Sequence, residues 1–154
     1  MATKRDLCSE EDATWREFVD AWARVPDALS EEAGYHPGWS VKDMVAHIGS
    51  WQAYAVQMFE RIRVGTYVSE RLDVDAMNAE FVEAWRDQPV WAVKAECFAS
   101  RTRFVQEFGL LPELTPEAEE WFLESGTVHY REHLPRLREW AAELADRATA
   151  TENS

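Results

Sequence analysis

This sequence has few of the residues that cross-link small secreted proteins or build cysteine metal centres. Its 154 residues include two cysteines, Cys8 and Cys97, which lie far apart and form no Cys-x-x-Cys pair. Neither a disulfide framework nor a cysteine zinc site is therefore indicated. No run of about 20 apolar residues could cross a bilayer, and the opening "MATKRDLCSEEDA" has no hydrophobic signal core. We expect a cytoplasmic protein without a membrane role.

Basic residues are also scarce. Sixteen lysines and arginines stand against 29 aspartates and glutamates, which gives a formal net charge of −13. Such a charge repels nucleic acid and anionic lipid, so neither is expected as a partner. The acidic residues are spread over segments such as "SEEDATWRE" and "TPEAEEW", which indicates solvated helix surfaces rather than an acidic tail.

Apolar residues recur at spacings of three and four along most of the chain, which predicts amphipathic helices. Ser9 with Asp12, and Ser40 with Asp43, have the spacing of a capping box and predict the starts of the first two long helices. The second helix is predicted to end at Gly65.

The second half of the sequence continues the helical pattern. A third helix is predicted over 73–85. A fourth helix, or a bent continuation of the third, is predicted from Pro89 to a stop at Gly109. Thr115 and Pro116 start another helical stretch. The last long helix is predicted to carry one stripe formed by Phe122, His129, His133, Leu137, Trp140 and Leu144.

No alternating apolar and polar pattern and no Asn-Gly or Asp-Gly hairpin signal predicts strands. The apolar fraction of 46% suits a single domain that buries a core. We predict an all-α fold, an antiparallel four-helix bundle with additional short helices, over residues 1–147, followed by a disordered tail at 148–154.

Three of the four histidines fall on predicted apolar faces. His129 and His133 are four residues apart, so a helix would place them about 40° apart around its axis. His47 lies between Met44 and Trp51, where an unpaired imidazole would cost several kcal/mol. Three imidazoles that meet from two helices would suit a divalent transition metal such as zinc, nickel or iron. The alternative is three core histidines, each hydrogen-bonded to a local partner.

Two further predictions concern the fourth histidine and the segment around the histidine pair. His36, in the loop "GYHPGW", is predicted to lie at the surface, outside the ligand set. The segment "HYREH" also fits the inverted zinc-protease pattern, in which Glu132 would be the general base. Neither the protease fold nor a downstream carboxylate ligand is visible in the sequence.

Two segments resemble the DinB-like superfamily of helical bundles. "GWSVKDMVAHIGSWQ", followed about eighty residues later by "TVHYREHLPRLREW", matches its pattern of one histidine on the second helix and an H-x-x-x-H on the last. His47, His129 and His133 match the metal triad of that superfamily. "LDVDAMNAEF" resembles the D-x-D-A-x-N segment of its ClbS/DfsB branch, which includes colibactin self-protection proteins.

The resemblance implies a chemistry as well as a fold. It implies a divalent metal at the three histidines, and either a reaction that uses a low-molecular-weight thiol or the hydrolysis of a reactive electrophile, in self-resistance or detoxification. Asn78 is a polar residue on an apolar helix face and is the candidate catalytic residue, able to stabilise a developing oxyanion. A helix-to-helix hydrogen bond is the alternative role for it. Trp51 and Tyr54 are candidates for the substrate pocket, with plain packing as their alternative.

Three hypotheses follow. The first is a metal-dependent enzyme that hydrolyses a small electrophile or adds a thiol to it. The second is a protein that sequesters a reactive small molecule without turnover. The third has no small-molecule site: the helices form a homodimer interface or a surface for another partner, and the histidines are structural.

Overall fold

The computed structural model describes residues 1–154 and contains no β-strand, which confirms the all-α class. None of its helices combines the length and apolar character that crossing a membrane requires. A 3₁₀ turn at Asp27–Leu29 follows the first helix. The six α-helices are α1 (Lys4–Ala23), α2 (Val41–Val64), α3 (Val74–Trp85), α4 (Val90–Leu110), α5 (Pro116–Ser125) and α6 (Thr127–Glu152).

Helix α2 begins and ends where the sequence predicts. The Ser40 hydroxyl accepts a hydrogen bond from the backbone N–H of Asp43, and the Asp43 carboxylate accepts one from the backbone N–H of Ser40 at 2.9 Å. This reciprocal pair satisfies two donors that the helix leaves open. Gly65 ends the helix with a φ of 77°, in the left-handed region that glycine adopts without strain.

Helix α1 begins earlier than predicted. Its capping box is formed by Thr3 and Asp6, whereas Ser9 lies exposed inside the helix. The helix extends toward the N-terminus because Leu7 and Glu11 continue its buried face. The start assigned to Ser9 was therefore wrong.

The four long helices form a bundle made of two closely packed pairs, α1 with α6 and α2 with α4. Glycine permits the close approach in the second pair, because a Cβ at Gly49 would lie 3.2 Å from the Cα of Cys97. A buried hydrogen-bond network joins all four long helices. Glu11 of α1 accepts hydrogen bonds from Arg101 of α4 and, at 2.8 Å, from the Tyr130 hydroxyl of α6, which in turn accepts one from Gln52 of α2.

The predicted last helix is divided at Gly126. A Cβ at this position would lie 2.8 Å from the carbonyl oxygen of Phe122, so a larger residue would not fit the break. Phe122 consequently belongs to α5, and its placement on the same helix as the histidine pair was wrong. Helix α6 runs through Pro135 and continues as far as Glu152, beyond residue 147, where the predicted domain ended.

Candidate metal centre

Two neighbouring helices bring three histidines together. His47 comes from the middle of α2, and His129 and His133 come from successive turns of α6. Each offers a ring nitrogen, and these three nitrogens lie within 4.8 Å of one another. All three residues are buried, with at most 9% of their surface exposed. The arrangement can therefore hold a metal ion away from bulk water.

The ring nitrogens of His47 and His129 lie closer together than two nitrogens bound to the same metal ion would. The Nε2 atoms of His47 and His129 are 2.7 Å apart, which is the length of a direct hydrogen bond. Two nitrogens bound at about 2.1 Å to one tetrahedral ion lie about 3.4 Å apart. A shift of a few tenths of an ångström in each of these two rings would bring this pair to that spacing.

Burial keeps these imidazoles neutral. It lowers the pKa of His47 to about 3, an effect to which His133 adds and which the Asn78 side chain opposes. It likewise lowers the pKa of His133 to about 4, with His36 adding to the shift. The pKa of His129 lies well below its usual value because of burial and then of repulsion from His47 and His133. Neutral imidazoles are the form that binds transition metals, so the donor set fits such an ion.

Two of the buried ring nitrogens have no partner in the protein. These are the Nδ1 atoms of His47 and His129. Buried polar atoms are nearly always hydrogen-bonded, so these two nitrogens are open to a water molecule or another bound group. His133 differs, because its Nδ1 lies 2.8 Å from the hydroxyl oxygen of Tyr35.

A cavity of about 380 Å³ opens beside the triad. All three histidines line it, together with residues from α3, α5 and the segment before α3. The other lining residues are Trp51, Leu72, Val74, Asn78, Trp121, Glu124, Ser125 and Glu132. The volume suits a small organic molecule that reaches the histidines past aromatic walls and carboxylates.

Of the other predicted site residues, two line this cavity and one lies beside it. Trp51 and Asn78 line it, and the indole N–H of Trp51 donates a hydrogen bond of 2.7 Å to the side-chain oxygen of Asn78. The oxygen of Asn78 is thus engaged by a helix-to-helix contact, which was the alternative role considered for this residue. Tyr54 packs against the rings of Trp51 and Trp121 but lines two adjacent cavities instead. Its placement in the same pocket as the histidines was not reproduced.

Several residues of the site carry no sequence signal that points to it. Trp121 lies on α5, and Tyr35 lies in the loop before α2. Trp39, from the same loop, packs its ring 4.9 Å from that of His47. Glu132 lines the cavity, and it was named only through the protease-like pattern. His36 is exposed, as predicted, with its ring 6.3 Å from that of His133.

The sequence matches no family model and no curated protein. The fold is similar to the crystal structure of an uncharacterised protein from Escherichia coli UTI89, with a TM-score of 0.77. The superposition covers 93% of this chain and 95% of that one, at 16% sequence identity. A likeness at this identity establishes a shared bundle fold and carries no statement about activity.

Proposed function

We propose that this chain is a DinB-like, metal-dependent enzyme of the ClbS/DfsB type that acts on a small electrophile by hydrolysis or thiol transfer. The convergence of His47, His129 and His133 beside a cavity is the observation that supports this proposal. Zinc, nickel or iron would be held by these three imidazoles. Such an ion, when bound, supplies Lewis acidity and leaves coordination positions for water, thiol or substrate.

The chain's own residues give the cavity its selectivity. Trp51 and Trp121 offer flat apolar walls that exclude water from a bound molecule. The amide of Asn78 is held in place by Trp51, and its NH₂ group can donate to an oxygen of the substrate. Glu132, exposed at the cavity, can accept a proton during the reaction.

Metal binding is the first test. Protein purified without an affinity tag is freed of metal by a chelator and titrated with Zn²⁺ and Ni²⁺ by calorimetry. We expect one ion per chain and a higher melting temperature, because a ligand that binds only the folded state stabilises it. His47→Ala should lose both effects, whereas the matched variant His36→Ala, of an exposed histidine, should retain them. Less than about 0.2 ion per chain, with an unchanged melting temperature, would contradict the proposal.

Turnover is the second test. Candidate electrophiles, such as activated cyclopropanes and epoxides, are incubated with the metal-loaded protein, with and without a low-molecular-weight thiol. We expect a hydrolysed or thiol-adducted product that disappears with chelator or with His133→Ala. Metal binding without any product would support the metal site and contradict the proposed enzyme activity.

One observation favours a second candidate function. The 2.7 Å contact between His47 and His129 is a complete hydrogen bond that needs no ion. The cavity could then sequester a reactive small molecule without turnover. Stoichiometric protection of a target by metal-free protein, with no product released, would identify this function.

A further inference from the structure

The loop before α2 contacts helix α6, and it touches the imidazole of His133 there. Tyr35 in this loop is fully buried, and its hydroxyl oxygen lies 2.8 Å from Nδ1 of His133. The same oxygen lies 3.4 Å from the backbone carbonyl oxygen of His133. A single hydroxyl thus meets two polar atoms of one residue.

The 2.8 Å contact alone fits a hydrogen bond in either direction, and the contact with the carbonyl oxygen favours one of them. A carbonyl oxygen can only accept, whereas a neutral imidazole nitrogen either donates or accepts. Both contacts are hydrogen bonds only if Tyr35 donates to the carbonyl of His133 and accepts from its Nδ1–H. The neutral ring carries one proton, so Nε2 is then left with a free lone pair.

Helix α6 holds the tyrosine in this position. Arg136, one turn after His133, donates hydrogen bonds to the carbonyl oxygens of Gly34 at 2.7 Å and Tyr35 at 2.5 Å. Gly34 itself has a φ of 122°, and a Cβ there would lie 2.8 Å from the ring of Trp140. The helix that carries the imidazole therefore also fixes the loop that orients it.

We propose that Tyr35 is a positioning residue that selects the Nδ1–H tautomer of His133 and so presents its Nε2 lone pair to the triad. This inference deepens the proposed metal site and rests on it for one of its two tests. A partner on the outer nitrogen of a ligating histidine fixes its tautomer and orientation, and its loss costs about tenfold to a hundredfold in metal affinity. Tyr35 acts through His133, because its hydroxyl contacts the ring of that residue and does not line the cavity.

The first test needs no metal. The ¹⁵N chemical shifts of the His133 ring, measured at neutral pH in metal-free protein, report which nitrogen carries the proton. We expect the proton on Nδ1 in the wild type and a shift of the population toward Nε2–H in Tyr35→Phe, which keeps the aromatic ring. Tyr67→Phe is the matched control, because it removes a hydroxyl that contacts Trp121 and no histidine.

The second test measures affinity. Tyr35→Phe should weaken Zn²⁺ binding about tenfold to a hundredfold, and Tyr67→Phe should leave it unchanged. A wild-type His133 with its proton on Nε2 would overturn the inference even if Tyr35→Phe failed to fold. An equal Zn²⁺ affinity in wild type and Tyr35→Phe would overturn it as well. Failure of the wild type to bind Zn²⁺ would instead count against the proposed function, while the tautomer measurement would still decide the role of Tyr35.

Discussion

The buried histidines predict a specific loss of stability in acid. In the metal-free protein the pKa is about 3 for His47 and about 4 for His133, against 6.5 for an unperturbed histidine. Below pH 6.5 the unfolded chain binds protons that the folded chain excludes. The stability that these neutral imidazoles allow is therefore complete above pH 6.5 and falls as the pH drops toward 4 and 3.

The size of this loss follows from the two pKa values. One pH unit between the unfolded and the folded pKa corresponds to about 1.4 kcal/mol for each group. At pH 5, about 1.5 units below the unfolded value, His133 should lower the free energy of unfolding by about 2 kcal/mol. His47 should contribute a similar amount.

Urea unfolding at pH 7.5 and pH 5, in the presence of a chelator, measures this effect. The difference between the two pH values should be about 2 kcal/mol smaller in His133→Gln than in the wild type, because the variant has no imidazole to protonate at this position. His36→Gln serves as the control, because it replaces an exposed histidine that adds only the smaller part of the His133 shift, and it should change the pH dependence much less than His133→Gln does. Equal pH dependence in His133→Gln and the wild type would refute the reasoning.

Two further predictions concern the packing that supports the site. Glu11→Gln should lower the free energy of unfolding by about 2 kcal/mol, because it removes the fully buried carboxylate that pairs with Arg101 and leaves that largely buried charge with only the partly exposed Asp12. Glu10→Gln, on the same helix but in an exposed ion pair, should cost less than about 1 kcal/mol, and equal losses in urea unfolding would contradict this account. Gly49→Ala should cost about 1–3 kcal/mol, because the new methyl group meets the backbone of Cys97 and separates α2 from α4. A melting temperature at or above that of the wild type would show that the two helices do not need this close approach.

The sequence was most informative where a periodic pattern ended in a specific cap. Ser40, Asp43 and Gly65 bounded α2 correctly because their roles depend on neighbours three or four residues away. Thr3 and Ser9 are both followed by an aspartate three residues later, so spacing alone does not distinguish them. Burial of Leu7 decides between the two starts, and burial depends on the rest of the bundle.

The three histidines of the candidate site could be predicted from the sequence, but the contacts around them could not. His47, His129 and His133 could be placed on inward faces because each lies on a helical stripe. The contact of Tyr35 with His133 spans 98 positions and starts from a loop, where no periodicity constrains the direction of a side chain. The break at Gly126 was missed for a related reason, since the apolar stripe continues across it in the sequence.

The histidines are distributed unequally over the two helix pairs. His47 belongs to the α2–α4 pair, whereas His129 and His133 both belong to the α1–α6 pair. The spacing of His129 and His133 is set by one helix, but their distance from His47 depends on the offset between the pairs. Any occupant that contacts all three rings would lock that offset, and amide hydrogen exchange would then slow in α2 and α6 together.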